Sequence, residues 1–506
     1  MSGLFKNISA NFLGQGWMAL MGICFVPLYL KFIGVEGYGL VGFFIILSSA
    51  MSMFDGGFGA VATREASTHE GASAADKQKV VLTLKTVECI FWGVATTLGT
   101  GVLLLAPLIA DHWLTVSADN IESVTQSLRI MGIALWLQFP IAFYYGSLIG
   151  LQKHVTLNAI SSFFATTRAT GAAVVLWLVS PTVEWFLIWQ CINSLATVLV
   201  LRTQLINHLP DWKAVQLFSI NTIRRLGGFA AGVGATNILV FLLMQVDKII
   251  LSKILSLKDF GCYMLAWTVG SVAFRLISPI FNVYYPKLVA LVATQNGDET
   301  LRTFTRASQV LSLLVIPFSI WVALYSQPLL FFWTRDANVA ALADTPLLML
   351  AVGTMLYSFM QMPYALQLAH GWTRFSVWQN ATAVVFMVPL TYYLVTHYGL
   401  NASAWPWMIL NVSYVAICSP IIFRKLKVKA VGAWYAEAIF VPAAITLSSL
   451  FAMKTLFDML DFNNIFTMAF SLGVTYVLVG LRVFVLRIAG RKIEWRKTLH
   501  DYTHPK

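Results

Sequence analysis

Apolar runs about twenty residues long, joined by short polar connections, recur from one end of this chain to the other. They constrain the fold more than any single residue does. A run of that length crosses a hydrocarbon layer only as a helix, because nothing in the layer satisfies an open backbone. The runs fall at about 8–30, 39–62, 80–107, 124–149, 157–180, 184–205, 227–251, 261–285, 307–332, 346–369, 377–396, 401–423, 434–453 and 464–486. About fourteen such runs in 506 residues leave little beyond loops. The chain is 58% hydrophobic and 11% charged, against roughly 45–50% and 25% in soluble domains. The expected fold class is an all-α polytopic membrane protein.

An even number of spans returns both termini to one side. Loop charges say which. Lys6, Arg64, Lys77, Lys79, Lys153, Lys213, Lys287, Arg374, the Arg424–Lys429 stretch and the tail from Arg487 all fall on that side, whereas Lys31, Lys253, Lys258, Arg335 and Lys454 fall on the other. The positive-inside rule then places both termini in the cytoplasm. Read this way, the excess of 34 Lys and Arg over 22 Asp and Glu reports topology and attraction to anionic membrane lipids, so no nucleic-acid partner is expected. The first run is too long for a signal-peptide core and is expected to stay in the mature protein.

Loop length bears on catalysis. The longest outward loops, about 108–123 and 333–345, pair no carboxylates and show no nucleophile–base arrangement; Asp111, Asp336 and Asp344 stand there without visible partners. No GxxxxGK[ST] phosphate cradle occurs inside. Cys24, Cys89, Cys191, Cys262 and Cys418 lie in apolar runs without metal-ligand spacing. The chain is expected not to be an enzyme and to need no cofactor or metal.

The chain also repeats itself at an offset of about 222 residues. Lys31-Phe32-Ile33 and Tyr38-Gly39 match Lys253-Ile254-Leu255 and Phe260-Gly261, Gln138-Phe139-Pro140 matches Gln361-Met362-Pro363, and Asn158 matches Asn380. Six spans per copy return the chain to its starting side, so the copies share one orientation, as in transporter halves related by an axis along the membrane normal. The expected organisation is a six-helix lobe over 1–205, a cytoplasmic linker over 206–225 and a second six-helix lobe over 226–425. Two further helices and a basic cytoplasmic tail then occupy 426–506.

Several local patterns carry a family resemblance. Pro27 with Gly34-Val35-Glu36-Gly37-Tyr38-Gly39, then Phe54-Asp55-Gly56-Gly57-Phe58-Gly59 with Arg64-Glu65-Ala66, resembles the start of Wzx-type polysaccharide flippases of the multidrug/oligosaccharidyl-lipid/polysaccharide exporter superfamily. Gly150-Leu151-Gln152-Lys153, Asp247 to Ser252 and Tyr285-Pro286-Lys287-Leu288 agree with it. The resemblance extends over about residues 1–425. It implies a flippase for undecaprenyl-diphosphate-linked oligosaccharide (O-antigen or a similar unit) in the bacterial cytoplasmic membrane, with the polysaccharide polymerase or ligase machinery as a further partner. Lipid II flippases of the MurJ type usually carry arginines on the first helix, whereas Phe12 to Leu30 has no charged residue. Two alternatives stay open: export of a soluble or drug-like solute on the same fold, and a membrane glycosyltransferase or ligase.

Ionisable residues inside spans cost at least about 2.5–3.5 kcal/mol each and normally face a cavity or a partner. Within the repeat these are the basic Lys85, Arg129, Arg168, Lys248 and Arg275 and the acidic Asp55, Glu88 and Asp247; Arg482 and Glu437 lie beyond it. The excess of base suits a lipid diphosphate, whose oxygens a guanidinium binds in bidentate fashion. Arg168 and Arg275, near mid-span, are the first candidates for substrate, with Lys85, Arg129 and Lys248 beside them. Asp55, Glu88 and Asp247 are candidates for ion coupling. Competing structural roles are a Lys85–Glu88 pair on one helical face, snorkelling for Arg129, Asp247, Lys248 and Arg482, and a backbone bond for Asp55.

Overall fold

The computed structural model describes residues 16–482, apart from 19, 70–72, 427, 429–430 and 461–463. Lys6, the start of the first run and the basic tail lie outside the described residues. The all-α expectation holds: among the described residues there is no strand, only an isolated bridge between Thr115 and Ser256. Twelve helices there are long and apolar enough to cross a membrane, against the expected fourteen. The first expected run, 8–30, begins outside the described residues, and Val26–Phe54 holds its end together with most of the second run, the helix breaking at Gly34, where φ is 68° and ψ is 179°. The seventh run, 227–251, forms most of the 35-residue helix Ile220–Ile254, which is not among the twelve.

The chain divides into two compact units, residues up to Met264 with Val395–Leu400, and Leu265–Leu394 with the residues from Asn401 on. In the first unit the helices are α1 (Val26–Phe54), α2 (Phe58–Ser67), α3 (Ala74–Leu108), α4 (Ile121–Gln138), α5 (Ile141–Gly150), α6 (His154–Leu178), α7 (Val183–Asn207), α8 (Ile220–Ile254) and the first half of α9 (Leu257–Gly270). Helix α3 packs along α4, α4 along α7, α2 along α5 and α1 along α8. Pro140 sits between α4 and α5, where a residue without an N–H is tolerated because the helix restarts there.

Helices α1 and α9 cross in this unit with a reciprocity that follows the repeat. A Cβ on Gly39 would stand 2.3 Å from the Leu257 carbonyl oxygen, and one on Gly261 would stand 2.2 Å from that of Val35. Gly39 and Gly261, and likewise Val35 and Leu257, are partners under the offset read from the sequence. Equivalent helices therefore touch through equivalent glycines, and only glycine allows the backbones this close.

The second unit continues with α10 (Val272–Ala293), α11 (Gly297–Leu324), α12 (Ser326–Thr334), α13 (Ala337–Ala369), α14 (Thr373–Tyr398), α15 (Trp405–Ser413), α16 (Ser419–Lys425), α17 (Val431–Tyr435) and α18 (Val441–Met459), followed by a helix over Ile465–Arg482. Its core gathers Phe304, Leu311, Val315, Met362, Phe423 and Trp434. The elements beyond residue 430 are tied to α11 by polar bonds: Trp434 Nε1 donates to Ser308 Oγ at 2.9 Å, Trp321 Nε1 to the Met468 carbonyl at 2.8 Å and Tyr476 OH to the Leu314 carbonyl at 2.8 Å.

Candidate binding cavity in the first unit

A cavity of about 930 Å³ lies wholly within the first unit. Its walls mix large apolar residues, among them Met51, Phe139, Phe164 and Phe241, with small and amide-bearing ones. Ser161, Ala165 and Arg168 recur at helical spacing on α6, and Asn237, Phe241 and Gln245 do so on α8. Ser48 and Ser49 of α1, Thr63 of α2, Gln138 of α4, Tyr145 of α5 and Thr197 of α7 add to the polar surface, with Ser48 Oγ donating to Gln138 Oε1 at 3.2 Å. Tyr145 and Ser161 hydrogen-bond each other across the wall.

Two charged residues line it, Arg168 and Asp55. They differ in how far the protein satisfies them. The Asp55 carboxylate follows the end of α1 and accepts the Gly59 N–H at 2.7 Å, so it caps the first turn of α2. The backbone bond expected for Asp55 is thus present. Arg168 forms no ion pair among the described residues, and its Nε is buried without an acceptor. Gln245 Oε1, on the wall formed by α8, is buried without a donor in the same way. A buried N–H without an acceptor costs about 1–3 kcal/mol, and guanidinium groups bind anionic oxygen strongly.

The other expected cavity residues lie elsewhere. Lys85 is buried on α3, where Nζ donates to the Val215 carbonyl at 2.7 Å and stands 5.7 Å from the Trp212 ring centroid. Glu88, one turn on, accepts Arg202 Nε at 2.8 Å and Tyr144 OH at 2.6 Å. The expected Lys85–Glu88 pair is therefore corrected: each residue holds a different neighbour, Glu88 the side chains of Tyr144 on α5 and Arg202 on α7, Lys85 the backbone carbonyl of Val215 in the linker. Asp247 and Lys248 are likewise corrected from snorkelling to burial. Lys248 Nζ bonds Asp247 Oδ1 at 3.1 Å and the Met244 carbonyl at 2.8 Å, and Tyr263 OH donates to Asp247 Oδ2 at 2.7 Å. Arg129 is exposed on α4, Arg275 is exposed on α10 in the second unit, and Arg482 donates to the Glu437 carbonyl at 3.2 Å.

Sequence reasoning missed Arg202, Tyr144 and Tyr263 as partners, and missed Gln138, Asn237 and Gln245 as lining. For the last two a signal existed: amides at helical spacing with Phe241 inside an apolar run. The outward-loop acids expected to stand alone have structural partners. Asp336 accepts the Asn338 N–H at 2.8 Å, Asp344 accepts Ser326 Oγ, and Asp111 lies 3.2 Å from His112 Nδ1.

A family model described as polysaccharide biosynthesis protein matches residues 4–292, more than half of the chain. The chain belongs to this family. The matched region contains the whole cavity, and membership agrees with the Wzx-type resemblance carried by the motifs of α1, α2 and α8. A putative O-antigen transporter of Shigella flexneri is 21% identical over 428 residues, covering 82% of this chain and 99% of the relative. The succinoglycan biosynthesis transport protein of Rhizobium meliloti (strain 1021) is 22% identical, covering 66% and 64% of the two chains. A solved lipid II flippase, MurJ, in an inward closed conformation, superposes with a TM-score of 0.70 at 13% identity, covering 96% of this chain and all of that one. At that identity the likeness concerns the fold. The protein is thus a multi-pass, all-α member of the exporter superfamily.

Proposed function

We propose that this family member carries an undecaprenyl-diphosphate-linked oligosaccharide from the cytoplasmic to the outer leaflet of the bacterial cytoplasmic membrane by alternating access, the lipid tail staying in the bilayer. The observation that carries this reading is the unpartnered Arg168 Nε beside a 930 Å³ cavity whose polar lining is hydroxyl and amide side chains among apolar ones. Guanidinium suits a diphosphate oxygen, and serines, threonines and amides suit sugar hydroxyls. The names of the two curated relatives, transporters for O-antigen and succinoglycan, support the same cargo class. Both termini face the cytoplasm in this reading, and Asp55 is the ion-coupling candidate, since Glu88 and Asp247 are sealed in pairs away from the cavity lining.

Deleting the gene and identifying by mass spectrometry the lipid-linked species held on the cytoplasmic side tests the reading. A polyprenyl-diphosphate oligosaccharide should accumulate inside. Accumulation of unpolymerised oligosaccharide already outside would overturn it in favour of a polymerase or ligase.

A further inference from the structure

Lys248 takes its direction from the groups that bond its ammonium. Arg168 forms no ion pair among the described residues and its Nε meets no acceptor, so its direction depends on the backbone that carries it. That matters for a guanidinium, because its planar fork meets phosphate oxygens well only when aligned with them. A fork aimed in advance also costs less to order when a ligand arrives.

The turn of α6 around Arg168 is held from two sides. Trp189 Nε1, on α7, donates to the Thr167 carbonyl at 3.0 Å, and Tyr29 OH, on α1, donates to the Ala169 carbonyl at 3.0 Å. The residues immediately before and after Arg168 are thus each bonded by a different helix. One turn beyond Trp189, Asn193 Nδ2 donates to Thr167 Oγ1 at 2.8 Å. These bonds are additional to those of the helix, whose carbonyls at 167 and 169 already face the N–H groups four residues on. The fit is close. A Cβ on Gly171 would stand 2.1 Å from the Trp189 ring, so any larger residue there drives the indole off α6. Tyr29 is buried and packs edge-on to the Phe186 ring, 5.2 Å between centroids, and Asn193 is buried as well. None of Tyr29, Trp189 and Asn193 lines the cavity, whereas Ser161, Ala165 and Arg168 do. One side of α6 therefore faces the cavity while others are fixed to α1 and α7.

We infer that Tyr29, Trp189 and Asn193 are positioning residues: they hold the α6 turn so that Arg168 presents its guanidinium to the diphosphate without help from a counter-charge. They act on the substrate only through Arg168. The inference rests on the function proposed above.

The test measures binding of polyprenyl diphosphate to the full-length protein in nanodiscs, on the folded, monodisperse fraction. Tyr29→Phe and Trp189→Phe keep an aromatic ring and remove its donor; Thr167→Val keeps the shape and removes the acceptor that Asn193 uses. Each should weaken binding about fivefold, the scale of one hydrogen bond. Gly171→Ala should do the same by displacing the indole, with no polar group deleted. Thr167→Ser, which returns the hydroxyl, should recover most of the affinity lost in Thr167→Val. The deciding measurement repeats Tyr29→Phe and Trp189→Phe in an Arg168→Ala background. Residues that act only through Arg168 have nothing left to aim there and should change the residual affinity by less than about twofold. A general loosening of the fold would keep its full effect. Full-sized losses in that background, or wild-type affinity in the Tyr29, Trp189 and Gly171 variants beside a loss in Arg168→Ala, would overturn this inference alone. Wild-type affinity in Arg168→Ala itself would overturn the diphosphate reading of the cavity, and this inference with it.

Discussion

Arg168 on α6 and Lys248 on α8 are both cations deep in the first unit, and they have opposite fates. Lys248 is almost wholly buried, with Asp247, the Met244 carbonyl and, through Asp247, the Tyr263 hydroxyl around it. Arg168 lines a 930 Å³ cavity with an N–H that no described acceptor meets. Position along a span, near the middle for Arg168 and nearer the end for Lys248, would send Lys248 to the interface, yet it is the more deeply buried of the two, among polar partners. What separates them is whether the fold has already supplied the counter-group, and under the proposed function the cation left unsatisfied beside the cavity is the one that meets the ligand.

The largest effect that can break this comparison is at Arg168. Arg168→Ala should abolish surface polysaccharide at unchanged protein level, and Arg168→Lys should restore only part of it, because an ammonium lacks the planar fork. Polysaccharide analysis beside a membrane immunoblot reads both. Normal polysaccharide in Arg168→Ala would reduce Arg168 to a structural residue like Lys248.

At Lys248 the expected loss is of protein. Lys248→Met leaves Asp247 charged, buried and without its ammonium, which costs on the order of 3–5 kcal/mol, so the amount of folded protein in detergent should fall sharply. Removing both charges, with Asp247→Asn added, should recover most of it, as replacing a whole buried pair is often near neutral. Equal folding of the single and double variants would show that the pair carries no such burden, and would reopen Lys248 as a substrate ligand.

The crossing of α1 and α9 offers a smaller, geometric contrast with the open cavity. Gly39→Val and Gly261→Val each place a side chain against a backbone carbonyl that now stands 2.2–2.3 Å from the would-be Cβ, so the helices must part. With the native cysteines replaced and Ser48→Cys placed in the cavity wall, a membrane-impermeant thiol reagent added outside should label both glycine variants faster than the parent. Because the repeat relates the two glycines, the two variants should respond alike. Labelling in one alone would break the reciprocity.

The sequence made the helical class legible, because that depends on local chemistry, the length of the apolar runs; it also singled out Arg168, a guanidinium far from a span end, which lines the 930 Å³ cavity. It did not make the partners legible. Lys85 and Glu88 sit three apart and looked like a pair, yet Glu88 binds Arg202, which is 114 residues away, and Lys85 binds the linker carbonyl of Val215, 130 residues away. Spacing within one helix cannot report what another helix brings. For the same reason the cavity walls went unread: Gln138, Asn237 and Gln245 are ordinary polar interruptions until α4 and α8 bring them to one space.

The smallest expected effect is at Arg129, and it tests whether an arginine within a span is by itself enough. The side chain is exposed, and beyond the first turn, where Glu122 and Ser123 are exposed, the exposed positions of α4 run Gln126, Arg129, Ile133 and Trp136, steps of three and four that trace one face of the helix. Its buried residues, among them Leu128, Met131 and Leu135, point to the opposite side. Ile133 and Trp136 are 42% and 38% exposed, so Arg129 shares its face with large apolar groups and is not among the residues lining the 930 Å³ cavity. From the start of α4 at Ile121 it is about 12 Å along the axis at 1.5 Å per residue, near enough for a long side chain to lean toward the interface. Arg129→Gln should therefore change the rate of lipid-linked oligosaccharide flipping in vesicles by less than about twofold, within the few tenths of a kcal/mol typical of exposed sites. A loss comparable to Arg168→Ala would extend the substrate path onto this face of α4, and satisfaction by the fold would no longer distinguish the cations that carry substrate from those that do not.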